Sequence, residues 1–388
     1  MSLRNNIYKM YFLKAVMWFM VSMPIIVLFF QENGLSLIDV MILQGIYSIT
    51  VALFEIPSGY ISDVFGRKNS LILSSILSFV GFLIFSSNET FLLFAIAQFL
   101  VGISGSLISG SDSALIYETL ILSNEKKIYT KVEGISYAIG NFSEAIAGIL
   151  GGFLAVSSLY LPVYIQTIVL FFSIPIAYSL VEPPIINRQI NDRSFVKVID
   201  ILRDNILKNK KLLYLIIFSS VMGLATLSMA WFAQPFFKMI DVPILYFGIL
   251  WAGLNFTAGF ASFNSYKIYN YFNINKIILL VSMLMFLLFI TIGINKNILG
   301  LIAIFFIYIL RGLITPILRN EINKNISSNV RATVLSIRSF IIRISFAIIA
   351  PLLALVCENY SLSFSFYILA GIVGGVSFLT FFRLVKTD

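Results

Sequence analysis

Twelve separate runs of about 20 apolar residues punctuate this chain, each long enough to cross the hydrocarbon core of a bilayer as a helix. They lie at 8–30, 37–61, 70–87, 91–117, 132–156, 161–181, 212–237, 244–265, 277–294, 298–319, 332–356 and 362–382. Hydrocarbon offers the backbone no hydrogen-bond partner, so a spanning segment must satisfy itself as a helix or as part of a closed barrel, and runs of this length select helices. An all-α membrane protein is predicted. Only 12% of the 388 residues are charged, against about 25% in an ordinary soluble domain. The first run carries Lys14 and continues into "QENGLS" rather than a small-residue cleavage site, which predicts a retained span and not a cleaved signal peptide.

Lys and Arg are held on the cytoplasmic side during insertion. With the N-terminus inside, most of the 27 bases fall in cytoplasmic segments and only Lys238 and Lys296 fall outside, while Lys14, Arg311, Arg338 and Arg343 lie within spans. Both termini are predicted to be cytoplasmic. The formal charge of +9 is then a topology signal and does not call for a nucleic-acid partner. Residues 182–211 form the one long connection, with Phe195, Val198, Ile199, Leu202 and Ile206 at helical spacing among charges. This predicts an amphipathic linker helix between a six-span bundle at 1–181 and another at 212–388.

The sequence has no histidine and a single cysteine, Cys357. That excludes a disulfide within the chain and removes the usual metal ligands and the commonest general base. No G-x-x-x-x-G-K-[ST] loop is present, which disfavours an ATP-driven pump. The expectation is a non-enzyme without metal or cofactor, whose proton chemistry must use carboxylates.

Between runs two and three stands "GYISDVFGRKNSL", residues 59–71, with Asp63 closing one helix and a basic pair opening the next across a glycine turn. Gly59, Asp63, Gly66, Arg67 and Lys68 match the G-x-x-x-D-x-x-G-R-K pattern position for position, and the stretch resembles the signature of the major facilitator superfamily. The resemblance implies twelve helices in two pseudo-symmetric six-helix bundles, a small-molecule substrate, alternating access and commonly a monomer in a bacterial inner membrane. It also implies a gate role for the hairpin, whose acid in that family reaches across to the other half and latches the cytoplasmic side. The equivalent loop of the second half, from Gly259 to Lys267, keeps the end residues but has Phe263 and Tyr266 in place of the Asp and second Gly.

Another stretch, "GNFSEAIAGILGG" at 140–152, resembles the glycine-rich element of the drug:proton antiporters, with Gly148 where a proline is usual. Gly140, Glu144, Gly148 and Gly152 recur every four residues and share a face, with Gly151 adjoining, so another helix can approach closely. That branch usually carries an arginine in span 4 where this chain has Gln98, which predicts a proton relay different in detail.

A charge at the bilayer centre costs about 2.5–3.5 kcal/mol on insertion scales, so intramembrane charges are candidates for function. They are Lys14, Glu55, Asp112, Glu144, Arg311, Arg338 and Arg343. By the resemblance, spans 1, 4, 7 and 10 line a central cavity. Helical spacing gives each a polar stripe, including Lys14 and Trp18, Gln98 and Asp112, Ser219 and Gln234, and Tyr308 and Arg311. Matched depth predicts a Lys14–Glu55 ion pair. Glu144, Asp112 and Glu55 are the proton-coupling candidates, and Lys14, Trp18, Gln98, Gln234, Tyr308, Arg311 and Arg343 the substrate-cavity candidates. The arginines either pair with acids that protonation releases, or hold an anionic substrate through their planar fork. Two directions stay open: proton-coupled drug-type efflux of a small amphipathic or anionic compound, and import of an organic anion. A transport-inactive sensor is a remote third reading.

Overall fold

A computed structural model of the chain describes residues 3–87, 89–184, 202–327 and 330–386. These form fourteen α-helices, and no β-strand occurs among the described residues. In order they are α1 Asn5–Met17, α2 Ile26–Glu32, α3 Leu37–Phe65, α4 Arg67–Ser87, α5 Phe91–Ile108, α6 Ser111–Leu122, α7 Tyr129–Ala155 and α8 Tyr160–Ser179. There follow α9 Lys210–Met239, α10 Leu245–Tyr271, α11 Ile274–Ile294, α12 Ile298–Lys324, α13 Arg331–Asn359 and α14 Leu362–Val385. They make twelve membrane segments, because α1 with α2 supplies the first and α5 with α6 the fourth. Most of the linker expectation lies outside the described residues; its end, Leu202–Leu207, is a short π-helical stretch that buries Ile206.

The two broken segments depart from the continuous helices expected of runs 1 and 4. In the first, the helix stops at Met17 and resumes through the 3₁₀ turn Met23–Ile25. Pro24 lies at the start of that turn, a position where a helix has no use for the N–H that proline lacks. The Val21 N–H, outside any helix, is taken by Oε1 of buried Gln166 in α8 at 2.6 Å. In the fourth segment the helix breaks at Ser109–Gly110, where Gly110 has φ +86°, a left-handed conformation natural only to glycine.

Ten stretches among the described residues are apolar and long enough to cross a membrane. The first segment falls short because it is cut in two. The eighth, α10, is diluted by Asn255, Thr257, Ser262, Asn264 and Ser265.

The chain divides into two compact units, one of Met1–Leu35, Ile46–Arg193 and Ile244–Ala252, the other of Ser36–Gly45, Ser194–Pro243 and Gly253–Asp388. In the first, Met10, Leu13, Leu71, Leu115, Leu120 and Leu170 form a buried cluster among α1, α4, α6 and α8. In the second, Phe232 and Phe236 of α9 and Phe289 of α11 all pack their rings on Phe366 of α14. Asn209, Asn273, Asn297 and Ser361 cap the helices that follow them with side-chain oxygens.

Helices in lipid gain little from burying apolar surface against each other, and close backbone approach takes over as the cohesive term. The glycines of α7 show this in the first unit. A Cβ on Gly151 would overlap the Val21 carbonyl oxygen, and one on Gly152 would lie 2.8 Å from the Gly248 nitrogen in the opening turn of α10. Gly134 on the same helix has nothing within 4 Å of such a carbon. Gly151→Ala is therefore expected to lower the apparent melting temperature in detergent, with overpacking costing about 1–3 kcal/mol. Gly134→Ala is expected to be neutral or stabilising by about 0.5–1 kcal/mol, since alanine is the better helix former. Equal effects at the two positions would refute this account of the seam.

Candidate functional site

The hairpin between α3 and α4 is built around Gly66. This residue has φ +98°, and a Cβ there would lie 2.8 Å from the Glu182 carboxyl. The turn brings Asp63, in the last turn of α3, to 2.6 Å from the Arg67 guanidinium. Arg67 also donates to the Ser62 hydroxyl at 2.8 Å and lies 3.4 Å from Glu118 of α6. A basic pair in the first turn of α4 opposes the helix macrodipole, whose N-terminal end is positive. Glu182 offsets this by accepting the backbone N–H groups of Arg67 at 2.8 Å and Lys68 at 2.6 Å.

Sequence reasoning found Gly59, Asp63, Gly66, Arg67 and Lys68 but missed Ser62, Glu118 and Glu182. Glu182 was the most accessible of these. It follows the sixth run on the predicted side of the hairpin, where an acid is complementary to an exposed helix start.

Deeper in the same unit, Lys14 does not pair with Glu55 as expected. Its ammonium lies 3.0 Å from Asp112, and both side chains are mostly buried. The helix breaks explain the choice. Lys14 sits in the last turn of α1 and Asp112 in the first turn of α6, so each charge complements the dipole of its own helix end. Continuous helices would have offered no such ends. Asp112 also accepts the Ser113 N–H at 2.7 Å. The Lys14 ammonium stands 4.9 Å from the Trp18 ring centroid, and Trp18 in turn lies against Gly140 of α7, 3.2 Å from where a Cβ would sit. Glu55 stands in α3 two residues before Pro57.

One turn beyond Gly140, Glu144 accepts the indole N–H of Trp251 at 3.2 Å. Gly148 and Gly152 continue the same face, and both meet Gly248 of α10. The four-residue spacing read from sequence is thus a real face. Its partner was not foreseen, since Trp251 is 107 positions away. Gln98 is buried in α5.

In the second unit, Tyr308 is fully buried in α12, and the Arg311 guanidinium stands 5.4 Å from its ring centroid. Arg338 of α13 donates to the Ser219 hydroxyl of α9. Arg343 is half-buried, and among the described residues it makes no ion pair or hydrogen bond. Gln234 is buried in α9. Nowhere among them do three His, Cys, Asp or Glu side chains converge in a way that could hold a metal ion.

Comparison with known proteins bears on this architecture. The Major Facilitator Superfamily profile matches residues 8–320. Similar relatives include an uncharacterized MFS-type transporter, YxaM, of Bacillus subtilis, 24% identical over 243 residues, or 61% of this chain and 59% of that protein. An uncharacterized MFS-type transporter of Methanocaldococcus jannaschii is 23% identical over 190 residues, 48% of each. An uncharacterized transporter of Buchnera aphidicola is 32% identical over 105 residues, 27% of this chain and 26% of that one. The chain therefore spans from about a quarter to under two thirds of these relatives' lengths.

Among solved structures, the nucleoside transporter NupG superposes with a TM-score of 0.81 at 14% identity, covering 100% of both chains. A D-xylose–proton symporter superposes at 0.75, also at 14%, covering 98% and 97%. These share the fold. The chain belongs to the major facilitator superfamily, as a multi-pass membrane protein.

The Lys14–Asp112 pair yields a test of its structural role. Lys14→Met strands a buried carboxylate and is expected to destabilise the protein by about 3–5 kcal/mol, whereas breaking both partners together leaves no uncompensated charge. The double variant Lys14→Met/Asp112→Asn should recover most of the loss in detergent melting. Additive losses would show that the two charges do not act as a pair.

Proposed function

We propose that this protein is a proton-coupled secondary transporter that moves a small amphipathic or anionic organic compound by alternating access, in the export direction. The observation that carries the reading is Arg343, a guanidinium at membrane depth with no carboxylate partner among the described residues. A cation held in such a place without a counter-ion has an unmet electrostatic demand, and a mobile anion meets it. Arg311, stacked over the buried Tyr308 ring, offers a second planar fork suited to a carboxylate, sulfonate or phosphate. Trp18, Gln98 and Gln234 are the further substrate-contact candidates of this reading.

Proton coupling rests on the acids of the first unit. Asp112 and Glu144 are the carriers this reading names first, with Glu55 a third. The glycine-rich face of α7, like that of the drug:proton antiporters, supports export. The hairpin from Gly59 to Lys68 acts in this scheme as the cytoplasmic gate, held by the Asp63–Arg67–Glu118 set. The protein works as a monomer in a bacterial inner membrane with both termini in the cytoplasm. Import of an organic anion is the second reading. It is favoured by the arginines themselves, and one solved relative of this fold is named a D-xylose–proton symporter.

The test is proton flux in proteoliposomes loaded with a pH-sensitive dye. Naphthalenesulfonate, benzamide and benzyltrimethylammonium serve as anionic, neutral and cationic probes. The anion should evoke flux, and Arg343→Gln should reduce it at least tenfold. Flux evoked by the cation alone would overturn the anionic substrate, and silence with all three would overturn coupling. The sign of the flux against a preset anion gradient separates export from import. Asp63→Asn should slow turnover while leaving probe binding intact; loss of binding with intact turnover would remove the gate role.

A further inference from the structure

One half-buried carboxylate has no role in this scheme. Glu133 stands on α7 eleven residues before Glu144, and at 3.6 residues per turn the two side chains leave the helix within about 20° of each other, three turns apart. Its Oε1 accepts the Ser113 hydroxyl at 2.5 Å, while its Oε2 is shut away from water with no hydrogen-bond partner among the described residues. Ser113 adjoins Asp112, so two carboxylates are tied to one short stretch of α6.

Charge counting singles out Glu133. Tyr11 of α1 and Tyr129 on its own helix stand near enough to feel its charge, Asp112 adjoins its donor Ser113 and holds Lys14, and Tyr117 of α6 packs on Tyr129. Lys126 lies over the Tyr117 ring at 5.6 Å and is exposed. Lys14 is the one buried cation of this set, and it is committed to Asp112 at 3.0 Å. Asp112 has in addition a backbone N–H and the start of α6 to hold its charge. Glu133 has a single hydroxyl, no ion pair among the described residues, and one bare oxygen out of water. An oxygen shut away from water with no donor is an unmet hydrogen-bonding site, and a proton carried there gives it a bond to make.

We infer that Glu133 is a proton-binding residue of the transport cycle, a second station on the face of α7 that carries Glu144. The proton binds at Oε2, and Oε1 keeps its bond from Ser113 in both forms. Ser113 is then a positioning residue: it fixes which oxygen is left bare. This inference rests on the reading of the protein as proton-coupled.

The experiment is an infrared pH titration of the full chain in lipid, which follows the carbonyl stretch of protonated carboxyl groups, with the dye assay alongside. Wild type should show a protonated-carboxyl band that disappears as pH rises. Glu133→Gln should lose that band and lose the naphthalenesulfonate-evoked proton flux at least tenfold. Asp112→Asn and Glu144→Gln, which remove the other carriers this reading names, should keep the component of the band that Glu133→Gln removes. Glu133→Asp, folded and still titratable, should retain a band at a shifted frequency, and Ser113→Ala should displace its midpoint. An unchanged band in Glu133→Gln with wild-type flux present would overturn the assignment and leave coupled transport standing. A band lost in that variant while the wild type moves no protons with any probe would instead remove the coupled reading, and the role in the cycle with it.

Discussion

Every backbone N–H and C=O in a bilayer has to find its partner within the protein, and this constraint explains both the regular and the irregular parts of the structure. Ten of the twelve segments meet it as unbroken helices. The first and fourth segments do not, and at each break the first unit supplies what the helix no longer can. The Gln166 side chain takes the Val21 N–H, and the charges of Lys14 and Asp112 sit on the helix ends that the breaks expose. The ion pair is thus a consequence of two interruptions, and the interruptions are tolerable because the ion pair and Gln166 are there.

The distribution of charge follows from the same constraint. In the first unit the intramembrane base meets an acid, and an acid meets a side-chain donor. Lys14 reaches Asp112, and Glu144 takes an indole N–H. In the second unit Arg338 has a hydroxyl, Arg311 an aromatic face, and Arg343 nothing among the described residues. A structural ion pair is complete in itself, and a cation left with weaker partners is where an outside ligand can add free energy.

Much of this was legible in the residues. Periodicity and length gave the helices, and the tight spacing of Asp63, Gly66 and Arg67 gave the hairpin, because its parts lie within one turn of one another. The α7 face was legible for the same reason: Gly140, Glu144, Gly148 and Gly152 repeat within a single helix. What could not be read was any partner whose choice depends on where a helix stops. An apolar run hides a kink at Ser109–Gly110, and with the kink hidden Asp112 looks like a mid-span acid and not the start of a helix. Lys14 was accordingly assigned to Glu55 on depth alone. Glu182 and Trp251 were missed because they come from far along the chain, and only packing brings them to Gly66 and Glu144.

Glu182 has a further consequence through its position in the chain. It is the last residue before Pro183 and Pro184, whose rings fix φ and stiffen the exit from α8. The carboxylate that holds the first backbone N–H groups of α4 is thus followed by two residues of fixed φ, and one short stretch both anchors the start of α4 and closes the first six segments.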